Sequence, residues 1–417
     1  MRKCTLIIML AATFSLPTLA QADTDDSQQR EINALKAQNK LILERLDATA
    51  EMLESSSTGR TDATHNHSVA DGDSLRDRVF GGHGNKGATT IGGYGEMHYN
   101  NLNNKNPGGS DKKEMDFHRF VMFLGHEFND KIRFWSELEV EHAVVADTAN
   151  GSNGGEVAIE QAFIEFDLNS NMSARAGILL VPVGILNETH EPTTFYGVER
   201  NNVEKYIIPT TWSEGGVSLT GRFADNFSYD LAVHSGLQIA ASNQYAIRGG
   251  RQDVSNAPAN NLAATARVNW IGIPGLVIGA AIQQQTGVTQ GTDPNAGEAS
   301  LISTHAVWQI SQFTLRALYA SWNLSGSGPA AAGADKQNGW YVEPSWKFNP
   351  KFGIFARSSQ WDNQVNSGSN TQYDQFDVGF NYWPHEDVVL KFDYQNQSVP
   401  TGKNEFDGIN LGVGYQF

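Results

Sequence analysis

KIRFWSELEVEH, residues 131–142, shows an alternating pattern: Ile132, Phe134, Leu138 and Val140 fall on one side of an extended chain, and Arg133, Glu137, Glu139 and Glu141 on the other. Successive side chains of a strand point to opposite faces, so this spacing predicts a strand with one apolar and one polar face. DVVLKFDYQ, residues 387–395, repeats it, with Val388, Leu390, Phe392 and Tyr394 set against Lys391, Asp393 and Gln395.

Working outward, the pattern predicts sixteen strands: 90–99, 115–128, 131–143, 156–168, 171–183, 213–223, 227–237, 261–271, 275–285, 299–310, 312–323, 339–348, 352–362, 372–383, 387–396 and 406–417. Tight turns such as Asn129-Asp130, Asn169-Ser170 and Ile273-Pro274 alternate with long polar segments such as 144–155, 238–260 and 324–338. An even number of antiparallel strands with short turns at one end and long loops at the other describes an outer-membrane β-barrel. Closure is also what lets a sheet satisfy every backbone group in hydrocarbon. A soluble sandwich or propeller explains the alternation, but not the strand number, the loop asymmetry and the secretory leader described below.

Aromatic residues gather near the predicted strand ends: Phe128, Trp135, Phe166, Trp270, Trp308, Trp340, Trp346, Phe348, Tyr382 and Trp383. Membrane barrels place interfacial girdles at such positions. INLGVGYQF, residues 409–417, puts Leu411, Val413, Tyr415 and Phe417 on one face. A strand ending in Phe is the expected signal to the barrel assembly machinery, read through Tyr415 and Phe417.

Composition sets the exclusions. The 417 residues are 40% hydrophobic with a mean hydropathy of -0.39, and no apolar run of about 20 residues follows the first two dozen. A multi-pass helical transporter is excluded, and a net charge of -16 leaves no basic footprint for nucleic acid. The negative hydropathy is the average expected when alternate strand residues face lipid and water.

Residues 1–22 read as a signal peptide: basic Arg2-Lys3, an apolar stretch from Leu6 to Leu19, and Ala20-Gln21-Ala22 before a cleavage that leaves Asp23 first. Cys4 lies inside it, so the mature chain offers neither disulfides nor thiolate metal ligands. Residues 23–56 are expected to form a coiled-coil helix, with Ile32, Asn39, Leu46 and Leu53 at one heptad position and Leu35 and Ile42 at another. A lone amphipathic helix is the alternative. Residues 57–89 read as a polar, Gly-rich linker whose His65, His67 and His83 share no scaffold with a carboxylate or thiol. The barrel domain is 90–417, and no cofactor or metal is expected. Residues 23–90 carry 8 basic and 12 acidic side chains, and residues 91–417 carry 20 and 34.

HRFVMFLGHEFNDKIRFWSELEVE (118–141), EQAFIEFDL (160–168) and ARAGILLVPVGIL (174–186) resemble the strand 2 to strand 5 region of the phosphate-selective porin O/P family. Arg175, Gly177, Val181, Pro182 and Gly184 match its pattern, whereas Leu179, Leu180 and Val183 stand where aromatic and basic residues are expected. The resemblance implies a sixteen-stranded, trimeric outer-membrane porin that passes small hydrophilic solutes, with a lean toward anions such as phosphate.

It also implies that the loop after strand 5, residues 184–212, folds inward and narrows the lumen. That loop carries Glu188, Glu191, Glu199 and Glu204 against Arg200 and Lys205, with His190 between. Strand parity turns Arg133, Arg175, Arg222, Arg267, Arg316 and Arg357 into the lumen, since an Arg facing lipid at mid-membrane costs about 2 to 4 kcal/mol. Two readings stay open. A basic wall facing an acidic loop sets up a transverse field that filters by charge; or each Arg pairs with a lumen carboxylate such as Glu137, Glu139 or Glu165 and stiffens the wall.

The chain is therefore expected to be a non-enzymatic diffusion channel of the Gram-negative outer membrane, in contact with lipid, its N-terminal region periplasmic. A parallel coiled coil there would reinforce a homotrimer. The alternatives are a barrel serving as anchor for a periplasmic tether, and a barrel enzyme, for which no Ser or Asp beside a His with an orienting partner stands out.

Overall fold

The computed structural model describes residues 87–146 and 154–417. The predicted signal peptide, coiled coil and linker lie outside them. Within them the chain forms β1 (Thr89–Asn104), β2 (Lys112–Asn129), β3 (Ile132–Glu141), β4 (Val157–Asn169), β5 (Met172–Leu180), β6 (Ser213–Phe223), β7 (Phe227–His234) and β8 (Ala263–Ile273). The second half supplies β9 (Leu276–Gln285), β10 (Ala299–Ile310), β11 (Phe313–Leu324), β12 (Lys336–Asn349), β13 (Phe352–Asp362), β14 (Tyr373–His385), β15 (Val388–Ser398) and β16 (Phe406–Gln416). Each strand pairs antiparallel with its sequence neighbours, and β1 pairs with β16 to close the barrel. No helix among the described residues is long and apolar enough to cross a membrane; the strands are the spanning elements.

Short turns are built locally. The side-chain oxygens of Asn129, Asn169 and Asn349 accept the amides of Lys131, Asn171 and Lys351 at 2.9, 2.9 and 2.8 Å. Each closes an Asx turn that substitutes for a backbone turn. At the seam, Phe417 and Gly93 exchange two backbone hydrogen bonds of 2.9 Å, and the rings of Phe417 and Tyr415 lie over Gly93 and Gly95. A side chain at either glycine would meet the aromatic ring, so the seam needs glycine there.

The outer surface carries exposed apolar side chains such as Val217, Ile282 and Ile302, with Phe128, Phe166, Trp308, Trp346, Phe348 and Tyr382 exposed near the short turns. Two girdle expectations are corrected. Trp135 and Trp383 are buried: both lie on the lumen parity of their strands, Trp135 stacked on Phe123 and Trp383 edge-on to Tyr196.

Inside, the long connections 181–212 and 235–262 fold into the barrel and build an apolar core. Val203, Ile207, Ile208 and Trp212 from the first, and Leu237, Ile239 and Ile247 from the second, are fully buried with Leu301, Leu318, Trp322 and Tyr341 of the wall. An inverted barrel would otherwise leave these wall residues facing water; the loops remove that apolar surface from solvent, at roughly 1.5 to 3 kcal/mol per large side chain. Gln285 and Gln337 satisfy the second loop's buried backbone. Gln285 accepts the amide of Leu237 at 2.9 Å and donates to its carbonyl at 2.7 Å, and Gln337 donates to Tyr245 O at 2.8 Å. The sequence pointed to one infolded loop, and the structure has two.

Candidate functional site

The loop 184–212 is seated by its backbone. Arg119 donates to His190 O at 2.8 Å, Arg316 to Thr194 O at 2.8 Å, and Arg357 to Tyr196 O and Glu199 O, each at 3.3 Å. Trp322 Nε1 donates to Ile207 O at 2.8 Å, and Asn381 to Phe195 O at 3.2 Å. From the second infolded loop Arg248 and Arg251 reach Thr210 O and Thr211 O at 2.8 and 2.6 Å. Carbonyls that would be orphaned by burial thus receive donors, most of them charged guanidinium groups.

Strand register decides what the wall arginines do. Arg133 and Arg175 both flank Glu165, at 2.8 and 2.7 Å, because the β3–β4 and β4–β5 registers set it opposite each. Arg267 lies opposite Asp230, at 2.7 Å, and also contacts Glu188 of the loop. Arg316 is opposite Glu343 and Arg357 opposite Asp377, at 3.7 and 3.0 Å. Arg222 sits opposite Ser228 and is exposed near the short-turn end. Of the two open readings, pairing within the wall therefore describes five of the six.

Solvent access separates the paired arginines. The side chains of Arg316 and Arg357 are 7% and 3% exposed, and Arg133 9%. Arg175 and Arg267 reach 23% and 12%, with Asp230 at 13% and Glu188 at 27%. Arg175 lies over the Phe163 ring at 5.4 Å and uses its Nε on Glu165. Arg175, Arg267, Asp230 and Glu188 are thus more solvent-accessible than Arg133, Arg316 and Arg357.

The loop's own charges divide in the same way. Glu188 faces Arg267, and Glu199 meets His98 Nδ1 at 3.1 Å. Glu204, expected in the eyelet, is fully buried at the start of the one-turn helix α1 (Val203–Tyr206). Its carboxylate accepts the amides of Ile185 and Leu186 at 2.6 and 2.7 Å, Asn201 at 3.1 Å and the Tyr341 hydroxyl at 3.0 Å. It ties the loop's two ends together, and burial pushes its pKa up. Glu191 is also buried. Arg200 and Lys205 are half-buried, Lys205 over Tyr206 at 5.8 Å.

Sequence reasoning missed Arg119, His98, Lys391 and the acidic pair Glu137–Glu160 as loop contacts. Parity placed some of these inward, yet only the loop's course shows what they touch. Lys391, for example, is buried with its ammonium 3.6 Å from the Phe195 ring centre.

A closed sixteen-stranded barrel narrowed by an infolded loop after its fifth strand defines an outer-membrane diffusion porin. The family model of phosphate-selective porin O and P matches residues 90–417, and the chain belongs to that family. An uncharacterized protein of Aquifex aeolicus (strain VF5) is 31% identical, over 76% of this chain and 78% of that one. Among solved structures, an anion-selective porin from Comamonas acidovorans aligns with a TM-score of 0.56 at 11% identity, covering 80% of this chain and 100% of that one. OmpT of Vibrio cholerae in its trimer form aligns with a TM-score of 0.53 at 10% identity, covering 80% and 100%. At such identities these two share the fold.

Proposed function

We infer that small hydrophilic solutes diffuse through a passage bounded by the loop 184–212 and the wall of β5 to β8, with anions favoured. The observation that carries this is Arg175. It spends its Nε on Glu165 while its side chain is the most exposed of the five paired wall arginines, so its amino groups face the passage. A guanidinium held flat in this way binds phosphate or carboxylate through two parallel hydrogen bonds. Arg222 adds an exposed charge nearer the short-turn mouth. The anion-selective Comamonas relative in fold and the family's name favour the same sign.

Planar-bilayer recording under a salt gradient tests this. The wild-type protein is expected to conduct with an anion-biased reversal potential, and Arg175→Ala and Arg222→Ala to move it toward cations. Stable insertion without conductance would remove the channel reading, and unchanged reversal in both variants would remove the eyelet.

Around this channel, residues 1–22 are a cleaved signal peptide, 23–56 a periplasmic coiled coil through Ile32, Leu35, Asn39, Ile42, Leu46 and Leu53, and 57–89 a linker. Three barrels assemble as a homotrimer, as OmpT of Vibrio cholerae does in its trimer form, and Tyr415 and Phe417 present the terminal strand to the assembly machinery. The outer face meets lipid, and the chain is a channel rather than an enzyme. Crosslinking of the intact protein, and of the protein lacking residues 23–88, checks the assembly: monomers in both cases would contradict it.

A further inference from the structure

His190 stands on the infolded loop against two carboxylates of the wall, Glu137 on β3 and Glu160 on β4. All three residues are buried, at 2%, 1% and 4% exposure. His190 Nδ1 lies 3.2 Å from the carbonyl of Asn187. A carbonyl only accepts, so Nδ1 carries a proton, and Nε2 is the ring nitrogen left to face the carboxylates. That nitrogen is 3.4 Å from Glu137 Oε1 and 3.3 Å from Glu160 Oε2.

One imidazole nitrogen and two carboxylate oxygens thus converge, and no hydrogen bond joins Nε2 to either oxygen. His190 Nε2 and Glu160 Oε2 are buried without a hydrogen-bond partner. The other carboxylate oxygens are occupied by neutral groups: the Thr211 hydroxyl donates to Glu160 Oε1, and Gln161 donates to Glu137 Oε2 at 2.6 Å. The Tyr94 hydroxyl reaches Glu137 Oε1 at 3.4 Å. The neighbouring Arg119 makes its hydrogen bonds to Glu96 at 2.6 Å and the His190 carbonyl at 2.8 Å rather than to either carboxylate.

Distance distinguishes two explanations. An imidazolium donating to a carboxylate gives a charge-assisted bond of about 2.7 to 2.9 Å. Two ligands each about 2.0 to 2.1 Å from a tetrahedral ion are about 3.3 Å apart, the separation seen here on both edges. One imidazole and two carboxylates suit a divalent ion such as Zn2+, and the bond from Nδ1 to a backbone carbonyl is the orientation that metal-bound histidines require.

We propose that Glu137, Glu160 and His190 form a divalent transition-metal site that staples the constriction loop to the barrel wall. The ion closes a contact between one loop residue and two adjacent strands, and its removal releases the His190 side chain while Arg119 keeps its hold on the His190 carbonyl. The site is independent of solute selectivity, so its failure and that of the channel reading are separable.

The test uses the full-length protein in detergent, stripped with EDTA, dialysed against micromolar Zn2+ and measured by elemental analysis. One ion per chain is expected. His190→Gln and Glu160→Gln, each checked for native strand content and heat-dependent gel mobility, are expected to lose it. The full-length protein with His65, His67 and His83 replaced by Ala is expected to keep it. Wild-type protein carrying Co2+ supplies a readout that needs no variant: its visible ligand-field absorption should show four- or five-coordinate nitrogen and oxygen ligation and vanish with one equivalent of Zn2+. Sub-stoichiometric metal in the wild type, retention in both Gln variants, or nitrogen NMR showing both His190 nitrogens protonated in the presence of Zn2+ would each overturn the proposal.

Discussion

Arg175 and Glu165 face each other across the hairpin turn that joins β4 to β5, with Nε 2.7 Å from Oε2. The same carboxylate takes Arg133 at 2.8 Å from the other side. One buried acid thus holds two lumen cations, and its charge sets how much of each is felt in the passage.

Glu165→Gln is expected to release that restraint. The reversal potential under a salt gradient should move toward anions, opposite in sign to the shift of Arg175→Ala. A shift of the same sign in both would show that Arg175 does not face the conducting path.

Arg357→Ala removes a buried cation from Asp377, Glu343 and two loop carbonyls. Stripping one partner from a buried pair costs about 3 to 5 kcal/mol, and urea unfolding followed by tryptophan fluorescence should reveal it. Arg222→Ala, at an exposed site, should stay within about 0.5 kcal/mol.

Trp212→Ala opens a cavity in the core shared by the two loops, where Trp212 and Trp322 lie 6.0 Å apart. The expected cost is about 3 to 5 kcal/mol, with greater single-channel current noise as the loop loosens. Quiet channels of wild-type conductance would show that this core does not hold the loop.

Acid should also loosen the loop. Burial pushes the Glu199 carboxyl up, but His98 beside it prevails and holds its pKa well below the usual 4.5. A depressed carboxylate stabilises above its unfolded pKa and loses that contribution as pH falls through the folded value. Loop noise should therefore stay flat from neutral pH to about 4.5 and rise only at lower pH; a rise beginning between pH 6 and 5 would contradict the assignment.

The barrel was legible because its signal has period two and recurs. Most observed strands begin and end within three residues of the predicted bounds, and all six arginines lie on the lumen parity. Counting back from the tight turn at Ser170-Asn171 comes within one residue, setting Glu165 opposite Ala176, and a bulge between Asp167 and Asn169 moves it to Arg175. Long loops give no such count, so Arg316 with Glu343 and Arg357 with Asp377 could not be matched. The apolar core escaped for a different reason. Ile207, Ile208 and Trp212 sit in a segment crowded with charge, and Leu237, Ile239 and Ile247 in a mostly polar one, and strand parity says nothing about a loop that turns inward. Glu204 reads as an eyelet acid until the folded loop brings the amides of Ile185 and Leu186 onto it.

The wall grips the infolded loop largely by its carbonyls, at His190, Thr194, Phe195, Tyr196, Glu199 and Ile207. Any amino acid at those positions offers the same oxygen. These backbone moorings are therefore indifferent to side-chain identity: a residue such as Glu188, whose carbonyl is not among them, can be exchanged to retune the passage while they stay unaltered.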